Sequence, residues 1–162
     1  MTDRCWHLLS GLRRRVDDPE LRNRFLNLLA KHNAIVLCAH LHRYAVACRV
    51  TDSGTVVQVM VNSVNRGFNI MPPATLQTLY KGSGFVDDNP DFQPATQNAR
   101  RRILDNEKKF VNYFQSGDVP GYALITIREK DNTVNLSYYN GFSVTPYQII
   151  NLTDLQKLKD DN

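Results

Sequence analysis

Apolar positions along this chain change spacing from one segment to the next. In "DDPELRNRFLNLLAKHN", Leu21, Phe25, Leu28 and Leu29 recur at helical intervals on one side, with Arg22, Arg24 and Lys31 elsewhere. That pattern predicts an amphipathic helix of about four turns. Asp17 or Asp18 can cap it, Pro19 suits its first position and Asn33 its stop. "AIVLCA" follows, short and without a polar residue, and reads as a strand buried on both faces. "YAVACRV" and "TVVQVMV", joined by "TDSG", predict a β-hairpin whose turn chemistry comes from Asp52 and Gly54.

Beyond Asn62 the pattern weakens. "NRGFNIMPP" and "KGSGFVDDNPDFQP" have loop composition, with a short helix expected at "ATLQTLYK" between them. A second long helix is expected through "ATQNARRRILDNEKKFVNYFQSG", with Ile103, Leu104, Phe110, Val111 and Phe114 on its apolar side and Gly117 ending it. "GYALITIRE" and "TVNLSYYN" read as two strands around the tight turn "KDN". The end carries one more short extended piece and a polar tail. Helix followed by a wholly apolar strand and hairpin indicates a layered α/β domain. One domain over residues 1–162 is expected, with residues 65–117 as a loop-and-helix insertion.

Composition narrows the function classes little. The chain has 162 residues, 42% hydrophobic and 22% charged, and an ordinary globular balance. No stretch has the length of a membrane span. The first fifteen residues lack the long apolar segment of a secretory signal, and the compartment is left open. Net charge is +4, concentrated in Arg13–Arg15 and Arg100–Arg102. Acidic residues flank both runs, so they read as solvated helix faces before they read as nucleic-acid contacts. Tyr44, Tyr138 and Tyr139 are stacking candidates for such a role, although strand tyrosines more often pack. Three cysteines, Cys5, Cys38 and Cys48, have no CxxC spacing and make no disulfide framework. Cys38 is expected to be a small buried residue.

The chemistry sits at the end of the apolar strand, in "AIVLCAHLHRY". Residues two apart in an extended chain point to one face, so His40 and His42 can present both imidazoles together. In α/β sheets the carboxyl ends of strands are where ligands bind. Neutral imidazole is the commonest metal-ligating side chain. Two imidazoles satisfied by backbone carbonyls are the plain alternative. Asn62, Ser63 and Asn65 could line a pocket, with turn duty as their ordinary role.

Helix, apolar strand, small residue–His–x–His and hairpin together resemble the last third of the calcineurin-like metallophosphoesterases, which close their metal site with GHxH. Here the motif is "AHLH", with Ala39 at the glycine position. The resemblance spans about residues 20 to 150 and rests on one short specific motif. It implies the C-terminal part of a layered β-sandwich flanked by helices, with a mixed sheet. It implies that His40 and His42 ligate divalent ions (Mn, Fe or Zn) of a two-metal centre that hydrolyses phosphate esters. Arg43 and Tyr44 would then be candidates to face the phosphate. The family's DxH, GDxxD and GNH[DE] motifs are absent, and Asp3, His7, Asp17 and Asp18 lie in no such motif. The expectation is therefore a C-terminal portion, inactive by itself. The alternative is a non-catalytic binding module that self-associates or completes a partner chain, because missing strands would leave exposed edges.

Overall fold

A computed structural model describes residues 19–39, 44–61, 98, 102, 105–106, 108–117 and 120–158. Two sheets share one core. The first is mixed, in the order β1-β3-β2-β4, from β1 (Ile35–Cys38), β2 (Tyr44–Thr51), β3 (Gly54–Met60) and β4 (Val111–Gly117). The second is antiparallel, in the order β5-β6-β7, from β5 (Gly121–Arg128), β6 (Thr133–Asn140) and β7 (Gln148–Asn151). Helix α1 (Pro19–Lys31) precedes them and the short α2 (Leu152–Gln156) follows. The α/β class and the mixed sheet agree with the expectation, as do both predicted hairpins.

Helix α1 begins at Pro19 and carries Glu20 in its first turn and Lys31 in its last, each placed to suit the helix dipole. Asn33 ends it in the left-handed conformation, at φ +48°. Its N–H donates to Ala30 O at 3.0 Å and that of Ala34 to Leu29 O at 2.9 Å, which satisfies carbonyls of the last turn. The buried face differs from the expected one. Leu26 and Ala30 are covered, packed with Leu29 against Val36 and Val56. Phe25 and Leu28 are 47% and 54% exposed. Leu26 and Ala30 are four apart, and Leu29 completes their stripe. Small Ala30 lets the helix approach the sheet, and the bulkier Phe25 and Leu28 fall to the outside.

The hairpin β2–β3 turns through Asp52 and Ser53, and Gly54 takes φ +129°. Strand β1 pairs with β3 in parallel, Ile35 beside Val57 through Cys38 beside Met60. It is an edge strand and only half-buried, with Leu37 58% exposed. This corrects the expectation of a strand covered on both faces. A continuous apolar run of four residues does not tell an edge from a centre. The strands that are covered on both faces are β2 and β3.

A second correction falls on residues 108–117. Lys108–Phe110 form a 3-10 turn, and Val111–Gly117 form β4, antiparallel to β2, where a helix was expected to continue. Asn98, Arg102, Asp105 and Asn106 are helical and exposed. In "VNYFQSG" the apolar residues fit either period over so short a length. Pairing with β2 decides it, because Phe114 and Gln115 on opposite faces of β4 are both buried. The expected helix at "ATLQTLYK" lies outside the described residues.

The shared core runs between the sheets. Tyr44, Val46 and Cys48 of β2 and Val57 and Val59 of β3 meet Leu136 and Tyr138 of β6 and Ile150 of β7. Leu152 and Leu155 of α2 close one end. Asn151 caps α2, accepting from the N–H groups of Thr153 and Asp154.

Candidate functional site

His40, His42 and Arg43 lie outside the described residues, and so do Asn62, Ser63 and Asn65. The strand ends that flank the histidines are described. Strand β1 ends at Cys38 beside Met60, the last residue of β3, and β2 begins at Tyr44 one strand further on. The chain therefore leaves and re-enters the sheet on either side of the carboxyl end of β3. Val61 N–H donates to Cys38 O at 3.2 Å and ties the two strand ends together. This is the end of a parallel pair, where α/β sheets place ligands.

Two side-chain clusters border this end. On the α1 side, Cys38 is half-buried. Its thiol donates to Val59 O at 3.5 Å and accepts from Gln58 Nε2 at 3.1 Å. Burial raises its pKa, and the Gln58 bond lowers it in part. The thiol stays protonated at neutral pH and is not poised as a thiolate nucleophile or ligand.

On the core side stands a neutral polar network. Tyr44 is wholly buried, its ring stacked on Tyr138 at 3.9 Å between centroids and 19° between planes. Its hydroxyl donates to Gln148 Oε1 at 3.2 Å. Gln148 Nε2 donates to Gln115 Oε1 at 2.7 Å, and Tyr113 OH donates to the same oxygen at 3.0 Å. Strands β2, β4 and β7 are thus joined by side-chain bonds within the core. Burial pushes Tyr113 up to about 12, helped by the nearby Cys48, and pushes Tyr138 up to about 12. Burial holds Tyr44 higher still, and raises the Cys48 thiol to about 12. None of these groups carries charge at neutral pH, so the network orients and supports without acid–base chemistry.

Tyr44 was a candidate to face a phosphate. Its ring has no solvent-facing surface, and its hydroxyl is directed into the core. Tyr138 shares that stack, and Tyr139 stacks on Tyr122 at 4.7 Å, so these rings pack, as strand tyrosines usually do. Gln115 and Gln148 were not singled out from sequence. The available signal was a glutamine inside an alternating apolar segment, as in "VNYFQSG". Arg49 gives the same signal in "YAVACRV"; it is 4% exposed, with its guanidinium 4.8 Å from the Phe110 ring centre.

Among the described residues no group of three or more His, Cys, Asp or Glu side chains converges on one point. His32, the one described histidine, is exposed at the end of α1. Two imidazoles without further donors hold a dication weakly. Among the described residues no helix is long and apolar enough to cross a membrane. No family model, no curated protein and no solved structure matches this chain.

Proposed function

We propose that this chain is the C-terminal portion of a calcineurin-like, metal-dependent phosphoesterase, and that His40 and His42 are two ligands of its metal centre. The observation that carries the reading is where the histidine pair falls along the chain, between the carboxyl end of β1 and the start of β2, two strand ends that flank the end of β3. Two sheets around one core, a helix on the outer side of the first sheet and a hairpin directly after the motif also suit a metallophosphoesterase-type sandwich. When bound, a pair of divalent ions would supply Lewis-acid polarisation of a phosphate ester and an activated hydroxide. The chain's own contribution would be two imidazoles, borne between strand ends that are held by the Cys38–Val61 bond on one side and, behind Tyr44, by the glutamine–tyrosine network on the other.

The carboxylate motifs of the family are absent from this sequence, so the chain alone holds at most a partial site and no turnover is assigned to it. The test is calorimetric titration with Mn and with Zn, alongside phosphomonoester and phosphodiester assays. Weak binding is expected, and loss of it in His40→Ala and His42→Ala. Binding unchanged by both substitutions, or turnover that survives them, would overturn the reading.

A further inference from the structure

Four strands stand at sheet edges among the described residues: β1, β4, β5 and β7. Each edge offers unpaired backbone groups, and proteins blunt such edges with shortness, bulges, prolines or charges. Strands β1 and β7 are four residues each. Strand β4 carries a register shift opposite Cys48 and Arg49. Strand β5 has none of these devices. It runs for eight residues, pairs with β6 without a break, and has neither charge nor proline before Arg128. Its outer face is open, with Leu124 52% and Tyr122 39% exposed, and Ile127 near its end is 71% exposed, while Ala123 and Ile125 on the other face pack against the core.

The hydrogen-bond phase of the sheet sets which groups face outward. Gly141 N–H donates to Pro120 O, which places the residue before β5 in a hydrogen-bonded pair. On the far side of β6, Tyr138 O accepts from Tyr147 N–H, and Val134 N–H donates to Thr153 Oγ1. Even-numbered residues of β6 therefore point toward β7, and odd-numbered ones toward even-numbered residues of β5. The backbone groups of Gly121, Ala123, Ile125 and Ile127 are left directed to the open edge.

We infer that β5 pairs antiparallel with β5 of a second copy of this chain, about a two-fold axis at Leu124. A two-fold axis normal to the sheet keeps the faces matched, so opposite residues have equal parity. With the axis at Leu124, Gly121 meets Ile127 of the second copy and Ala123 meets Ile125, and the four outward residues of each strand form about eight backbone hydrogen bonds. Shifting the axis to Ile125 leaves Gly121 without a partner inside the strand. The side chains fit the same register. Leu124 meets its own copy across a non-hydrogen-bonded pair, where side chains approach closest. Exposed Ile127 lies over Gly121, which has no side chain to obstruct it. The two Arg128 side chains stand about 27 Å apart, beyond the screening length at physiological salt, so the only charged residue of each strand does not oppose pairing. The product is a continuous six-stranded sheet. This inference does not depend on the metal reading.

The experiment uses the full chain. Sedimentation velocity over a concentration series should show a monomer–dimer equilibrium, and Ile127→Lys should raise its dissociation constant at least tenfold with far-UV circular dichroism unchanged. Leu124→Cys should form a disulfide-linked dimer under mild oxidation, because opposite α-carbons in such a pair are about 4.5 Å apart. Thr126→Cys should not, because its copy stands about 13 Å along the strand. A chain that remains monomeric at hundreds of micromolar overturns the inference and leaves this edge to a strand of another protein. Cross-linking equal in both cysteine variants, or a dimer indifferent to Ile127→Lys, overturns it as well.

Discussion

Gln115 is the residue on which the polar network converges. Its side-chain oxygen accepts two hydrogen bonds, from Tyr113 OH at 3.0 Å and Gln148 Nε2 at 2.7 Å, and the residue is 3% exposed. Gln115→Leu keeps the approximate volume and removes the acceptor. Two donors then face methyl groups. A buried donor left unsatisfied costs about 1–3 kcal/mol, so the gross loss is about 2–6 kcal/mol. Tyr113 and Gln148 are half-buried and recover part of their hydration, which places the loss toward the lower end. The leucine returns about 1–2 kcal/mol through apolar burial. The net expectation is a destabilisation of about 1–2 kcal/mol, read as a fall in the urea midpoint at constant slope. That figure alone would suit many core substitutions, so the diagnostic is a double-mutant cycle. Tyr113→Phe should cost about 1 kcal/mol in the native background and close to nothing beside Gln115→Leu, where its hydroxyl has already lost its acceptor. Additivity of the two substitutions to within about 0.3 kcal/mol would refute the network as described.

Two further predictions follow from the same core. A Cβ at Gly121 would overlap the carbonyl oxygen of Tyr139 and come within 3.3 Å of the Tyr138 ring, so Gly121→Ala should destabilise by about 3 kcal/mol or more in chemical denaturation; a loss below about 1 kcal/mol would show that β5 and β6 can separate there at little cost. Stability should also fall in alkali. The Cys38, Cys48, Tyr44, Tyr113 and Tyr138 groups are all held neutral by burial, with folded values above their unfolded ones. Their contribution is complete below about pH 9 and is lost as pH rises toward 12, thiols first and phenols after, at up to about 1.4 kcal/mol per pH unit for each group. Urea midpoints measured from pH 7 to 11 should therefore be level and then decline, and a level profile to pH 11 would count against the buried stack.

The elements that could be read from the sequence are those whose signals are local. Pro19 and Asn33 bracket α1, Asp52 and Gly54 mark one hairpin turn, and Asn132, at φ +48°, belongs to the other. What required the structure is pairing between distant segments. The alternation in "VNYFQSG" becomes a strand through β2, some sixty residues earlier, and the buried face of α1 is chosen by Val36 and Val56 rather than by its own largest side chains. The network was hidden for the same reason, since Tyr44 and Gln148 are 104 residues apart in the chain. The histidine pair was visible because two residues at one spacing suffice to suggest it. That the strands flanking it are separated by β3 was not, because the insertion of β3 between β1 and β2 is a matter of topology.

That insertion also orders events in time. The β2–β3 hairpin closes a loop of two residues and can form alone, whereas β1, among the described residues, has β3 as its one strand neighbour and no hairpin of its own to lean on. A strand laid against the outside of a hairpin has nowhere to dock until the hairpin exists. Strand β1 is therefore expected to join late in folding and to leave early in unfolding, and the stretch bearing His40 and His42 is tethered on one side by the last strand to arrive. Any ligand gripping those side chains would act as a latch on that final step.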